Sequence, residues 1–146
     1  MTEQPRITVS PEFALIDVAR EIRIDGFAPY AFVTVTARMR MCGAPWQSQA
    51  VFMAGHDGSL DLGRDCPVSG SYAEPSAMGI VWAMVCTEME RVVFPPDRTE
   101  PLIVELHATD GQRSATAQLV QDFLADGVTH RPVREQVGGM TVSGEL

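Results

Sequence analysis

Apolar and polar side chains alternate with a period of two in several stretches of this chain. Ile22 and Ile24 alternate with Arg23 and Asp25, which predicts a half-buried strand over Glu21–Asp25, stopped by Gly26. The longest strand is expected over residues 30–41. Val33, Val35, Ala37, Met39 and Met41 form its apolar face, with Tyr30, Phe32, Thr34, Thr36, Arg38 and Arg40 opposite. Cys42-Gly43-Ala44-Pro45 supplies turn chemistry at its end, and a further strand follows over residues 46–53. That strand is expected to return through Gly55-His56-Asp57-Gly58, a tight-turn signal, to Leu60-Asp61-Leu62. Residues 102–108 and 113–119 flank Asp110-Gly111 and read as a β-hairpin, while residues 119–123 are too short to exclude helix. Shorter strands are expected around residues 7–9 and 14–17. Residues 63–76 read as loop, with Tyr72 covering the end of the core.

The most apolar run is Met78-Gly79-Ile80-Val81-Trp82-Ala83-Met84. Read with period two, both of its faces are apolar, which predicts a central strand over residues 78–86, dry on both sides. Trp82 should then be buried, a contribution of roughly 2–3 kcal/mol, with its indole N–H on an acceptor. About seven short strands, spaced by Gly and Pro turns, predict an all-β fold: an immunoglobulin-like antiparallel β-sandwich. The Cys…Trp…Cys pattern of true immunoglobulin domains is absent. After Gly127, residues 128–134 and 140–146 look like two strands around Gly138-Gly139, the second running to the end of the sequence. We therefore expect a sandwich domain over residues 1–127, with 128–146 as the start of a truncated further domain or the linker to it.

Composition narrows the class. A chain of 146 residues with 45% apolar content buries a core without staples. The net charge of −8, with 11 basic residues that are all Arg and scattered, argues against a nucleic-acid partner. No apolar run reaches membrane-spanning length, and the N-terminus lacks signal-peptide chemistry. The cysteines Cys42, Cys66 and Cys86 are odd in number with no close pair, so a reducing cytoplasmic setting is expected.

Catalytic motifs are sparse. A phosphate-cradling G-x-x-x-x-G-K loop is impossible without Lys, and there is no G-x-S-x-G, C-x-x-C or H-E-x-x-H. No cofactor or metal is expected. One constellation can be assembled: Cys66 as nucleophile, His56 as base, and Asp57 or Asp65 as orienter. Against it stands an ordinary loop cysteine beside a solvated turn histidine. Cys42 and Cys86 read as small core residues and His107 as a hydrogen-bonded strand residue. Glu88, Glu90 and Arg91 read as a solvated patch, and Met78, Met84 and Met89 chiefly as core filling.

Several segments, taken in order, resemble one family. These are Leu15-Ile16-Asp17, Ile22 to Pro29, Val33-Thr34-Val35, Trp46-Gln47-Ser48-Gln49-Ala50, Gly58-Ser59-Leu60-Asp61-Leu62, Gly70-Ser71-Tyr72 and Met78 to Met84. Together they resemble the N-terminal domain of the acyl-CoA thioesterases and bile acid-CoA:amino acid N-acyltransferases. The resemblance implies a β-sandwich preceding an α/β-hydrolase domain, with residues 128–146 similar to the join. It implies an acyl-CoA substrate for the parent enzyme and a nucleophile–Asp–His triad downstream of the join, so no catalytic, cofactor-binding or metal residue is assigned here. Ala83, where the family often has Ser, and Val85-Cys86, where Pro is usual, depart from the pattern. The expected partner is the downstream hydrolase domain, with self-association through an exposed interdomain surface. The competing expectations are a stand-alone binding module, marked by exposed aromatics among Tyr72, Trp46 and Phe94, or a small Cys66–His56 hydrolase.

Overall fold

Alternation decides which side of each strand meets the core. The computed structural model describes residues 4–41, 43–88 and 100–123, together with the backbone of 132–137 and 140–145. A small sheet holds β1 (Arg6–Ser10), β3 (Glu21–Asp25) and β6 (Leu60–Asp61), in the order β1-β3-β6. The large sheet begins with β2 (Phe13–Leu15), which runs parallel to β10 (Ser114–Asp122). It continues antiparallel through β9 (Leu102–Thr109), β4 (Phe32–Met41) and β5 (Ala44–Met53). Two short strands, β7 (Ser69–Gly70) and β8 (Val85–Cys86), complete it along β5. Ile7, Ile22, Ile24 and Leu60 from the small sheet meet Val33, Val35, Phe52, Val104, Leu106 and Leu119 from the large one in a single buried cluster. The result is the expected all-β sandwich, with more strands than the seven anticipated because β6, β7 and β8 are two-residue pieces.

The β9–β10 hairpin forms around Asp110-Gly111 as the sequence predicts, and residues 119–122 continue β10 as strand. A separate antiparallel pair joins β11 (Pro132–Val137) to β12 (Met140–Glu145). One expected return is different. The turn after β5 does not fold β6 back onto its neighbour; the chain crosses to the small sheet, where β6 pairs with β3. Gly58 makes this crossing possible: its φ is +79°, and a Cβ there would collide with the Phe27 carbonyl oxygen.

The largest correction concerns residues 78–86. No central strand forms there. Gly79–Trp82 is a short helix, α1, closed by Trp82 N–H to Met78 O and Ala83 N–H to Gly79 O, both 2.9 Å. Only Val85 and Cys86 are strand. Met78, Ile80, Val81 and Met84 are buried, whereas Trp82 is 68% exposed. A turn of helix gathers the bulky apolar residues on one side and turns Trp82 outward, so the expectation of a buried tryptophan fails. The helix is seated from two directions. The Ser48 hydroxyl on β5 donates to the Ile80 carbonyl. The Tyr72 ring lies so close to Gly79 that a Cβ there would be 2.7 Å from it, and the same ring meets Phe52 edge-on at 6.5 Å.

At the opposite edge the sandwich is closed by a charge. Arg20 is 1% exposed and donates to four backbone carbonyls: Ala14 at 2.9 Å, Leu15 at 3.3 Å, Val18 at 2.8 Å and Val120 at 2.6 Å. Burial lowers its proton affinity, and nearby Asp122 partly offsets this. The guanidinium therefore ties β2 and the loop after it to β10.

Candidate functional site

The loop constellation does not assemble. Cys66 and His56 are both exposed, and among the described residues no hydrogen bond joins them. Each proposed orienter is engaged elsewhere. Asp57 accepts from the Ser59 hydroxyl at 2.7 Å and the Ser59 amide at 3.1 Å, which holds its carboxyl below the ordinary range. Partial burial works to raise the Asp65 carboxyl, but bonds from Arg64 at 3.0 and 3.1 Å and from the Asp61 amide at 2.9 Å outweigh it and leave it lowered. These are turn-making contacts that occupy both carboxylates.

The remaining candidates are also placed. Cys86 is half-buried and donates to the Glu88 carbonyl at 3.3 Å. His107 lies half-buried on β9, and no side-chain hydrogen bond is found for it among the described residues. Tyr72 and Trp46 are half-buried against the core, so neither is an exposed binding aromatic. Burial pushes the Tyr72 hydroxyl up to about 12. Cys42, Met89, Glu90, Arg91 and Phe94 lie outside the described residues. Among the described residues no group of His, Cys, Asp and Glu is arranged to hold a metal ion, and no helix is long and apolar enough to cross a membrane.

The concave surface lies instead on the outer face of the large sheet. Strand pairing puts Thr36, His107 and Thr116 in one row across β4, β9 and β10, and Gln47, Arg38, Glu105 and Gln118 in the next. Two adjoining depressions follow these rows. One, of about 610 Å³, is lined by Thr36, His107, Thr116 and their neighbours. The other, of about 540 Å³, is lined by Arg40, Pro45, Trp46 and Ile103 among others. Arg38, Glu105 and Gln118 border both, so the two form one furrow.

The Arg38 Nε donates to Gln47 Oε1 at 3.1 Å, and Arg40 Nη2 donates to the Gly43 carbonyl at 2.9 Å. Neither guanidinium has a carboxylate partner within 4.0 Å among the described residues. The alternation of β4 places both arginines on the polar face from sequence alone. The furrow itself depends on β5, β9 and β10 lying beside β4, and no local pattern carries that pairing. The available signal was two arginines at alternate positions of one strand in an acidic chain.

Comparison with known proteins adds a family. The profile of the acyl-CoA thioester hydrolase/BAAT N-terminal region matches residues 17–135. The chain is 36% identical over 129 residues to rat (Rattus norvegicus) acyl-coenzyme A thioesterase 2, mitochondrial, covering 82% of this chain and 28% of that protein. It is 34% identical over 128 residues to mouse (Mus musculus) acyl-coenzyme A thioesterase 3, covering 83% and 30%. With the mouse peroxisomal succinyl-coenzyme A thioesterase it shares 32% identity over 126 residues, covering 82% and 30%. The chain thus spans less than a third of the length of these curated relatives.

Proposed function

Since this chain belongs to the acyl-CoA thioester hydrolase/BAAT N-terminal family, we propose that it is the non-catalytic β-sandwich portion of an enzyme acting on acyl-CoA thioesters. In this reading residues 1–127 are the sandwich. Residues 128–146 begin, or lead into, an α/β-hydrolase domain that carries a nucleophile–Asp–His triad. The single supporting observation is that the family match fills most of this chain while the chain fills less than a third of the relatives.

The chemistry follows from the thioester. A serine or cysteine activated by the histidine adds to the acyl carbonyl, and an oxyanion hole holds the tetrahedral intermediate. The C–S bond then breaks, and CoA leaves as the thiol with the proton that the histidine carried. Water or an amino acid receives the acyl group, giving hydrolysis or N-acyl transfer. The sandwich would wall one side of the cleft, because ligand sites favour domain junctions. The exposed apolar side chains Phe13, Ile16, Trp82 and Phe123 are suited to interdomain contact or to self-association when left uncovered. The free thiols of Cys66 and Cys86 fit a reducing compartment, the cytoplasm among them. The two packed sheets support an immunoglobulin-like architecture for this portion.

Purified 146-residue protein should not hydrolyse palmitoyl-CoA above the buffer rate. Turnover abolished by Cys66→Ala would overturn this reading in favour of a small cysteine hydrolase. A reading frame continuing past Leu146 with a G-x-[SC]-x-G elbow at a strand-to-helix turn would support it directly.

A further inference from the structure

The furrow on the outer face carries two arginines, Arg38 and Arg40, with no carboxylate within 4.0 Å among the described residues. Arg38 and Arg40 stand two residues apart on β4, on the same face. That spacing puts their backbones about 6.8 Å apart and lets two guanidinium forks address neighbouring anionic groups. Each is held by one neutral acceptor, Gln47 or the Gly43 carbonyl, so its remaining N–H groups are available. The wall beside them is apolar: Pro45, which pairs with Arg40 on the same face, and Ile103, which is 52% exposed. Glu105, opposite Arg38 on β9, is the one carboxylate among the lining residues.

Two arginines with no carboxylate partner among the described residues, beside an aliphatic wall in an acidic chain, offer a site for an anion attached to an apolar body. We propose that this furrow binds the nucleotide end of a CoA thioester. Arg38 and Arg40 contact its phosphates, and the adenosine lies along Pro45 and Ile103. The depression of about 540 Å³ falls within the range of small-molecule sites. The ligand class rests on the acyl-CoA reading above. The positions of the cations and of the apolar wall do not.

The test is calorimetric titration of the 146-residue chain with coenzyme A, adenosine 3′,5′-bisphosphate, pantetheine and inorganic pyrophosphate. Coenzyme A and the bisphosphate should bind with similar affinity, pantetheine should not bind, and added salt should weaken the interaction. Arg38→Gln and Arg40→Gln should each weaken coenzyme A binding about tenfold, the scale of one hydrogen bond to a charged group. Glu105→Gln should tighten it. Both arginines are exposed, and an unchanged melting temperature confirms that each variant folds. Coenzyme A affinity unaltered in the Arg38→Gln, Arg40→Gln double variant overturns the proposal, as does failure of the wild-type chain to bind coenzyme A. Pyrophosphate binding as tightly as coenzyme A overturns the nucleotide assignment. Any of these results leaves the acyl-CoA reading standing, because that reading is decided by thioester turnover and not by this furrow.

Discussion

The sandwich is closed differently at its two ends. At one, α1 presses Met78, Ile80 and Val81 into the core, fastened by Ser48 and fitted against Tyr72. At the other, Arg20 gathers four carbonyls from two distant stretches of chain. An apolar plug loses stability in proportion to the volume removed. A buried charge works by satisfying groups that have no other partner, so its removal exposes them all together. The two closures should therefore respond differently to mutation.

Arg20→Ala should give the largest loss, about 3–5 kcal/mol in chemical denaturation, since the carbonyls of Ala14, Leu15, Val18 and Val120 lose their donor. Arg20→Lys should recover only part of it, because an ammonium cannot span the same fork. Ile80→Ala, at a fully buried position, should cost about 2–4 kcal/mol by leaving a cavity. An equal cost for Arg20→Ala and Arg20→Met would erase the proposed difference between the ends.

Gly79→Val should cost about 1–3 kcal/mol through overpacking against the Tyr72 ring. Ser48→Ala should cost about 1 kcal/mol, the scale of one hydrogen bond. Alkali tests the same end without mutation. The folded Tyr72 keeps its proton to about 12, whereas an unfolded tyrosine releases it near 10. The stabilising effect is complete below about 10 and is lost as pH rises toward 12. Tyr72→Phe should remove that alkaline component, read as the difference between melting curves. Trp82→Ser, at an exposed position, should change stability by no more than about 0.5 kcal/mol.

The β9–β10 hairpin and the 78–86 segment show what was legible in the sequence. Asp110-Gly111 announces its turn locally, and the structure shows why: the Asp110 carboxylate accepts from the Gln112 amide at 2.9 Å and the Arg113 amide at 2.7 Å. Alternation along β9 and along the first half of β10 then fixes which face is buried. In residues 78–84 every position is apolar or small, so a period of two and a single helical turn predict almost the same buried set. The deciding contact is Tyr72 against Gly79, a fit between a loop and a helix that no periodicity encodes.

Arg20 was still less visible. A lone arginine between a short strand and a longer one reads as surface, and the Val120 carbonyl that holds it comes from a strand 100 residues away. The furrow lies between these cases. Its arginines are placed correctly by alternation on β4, but the apolar wall and Glu105 arrive through pairing with β5 and β9.

The parallel pairing of β2 with β10 also bears on the order in which the molecule can assemble. As the chain emerges from the ribosome, Phe13, Ala14 and Leu15 appear early, yet their partners Val120, Gln121 and Asp122 are among the later residues of the sandwich to be made. The first strand of the large sheet must therefore wait, unpaired, for nearly the whole domain to be synthesised, which is a contact of very high order and a slow one to form. Until it closes, an edge bearing Phe13 is open to neighbouring nascent chains, and chaperone dependence during synthesis is the expected result.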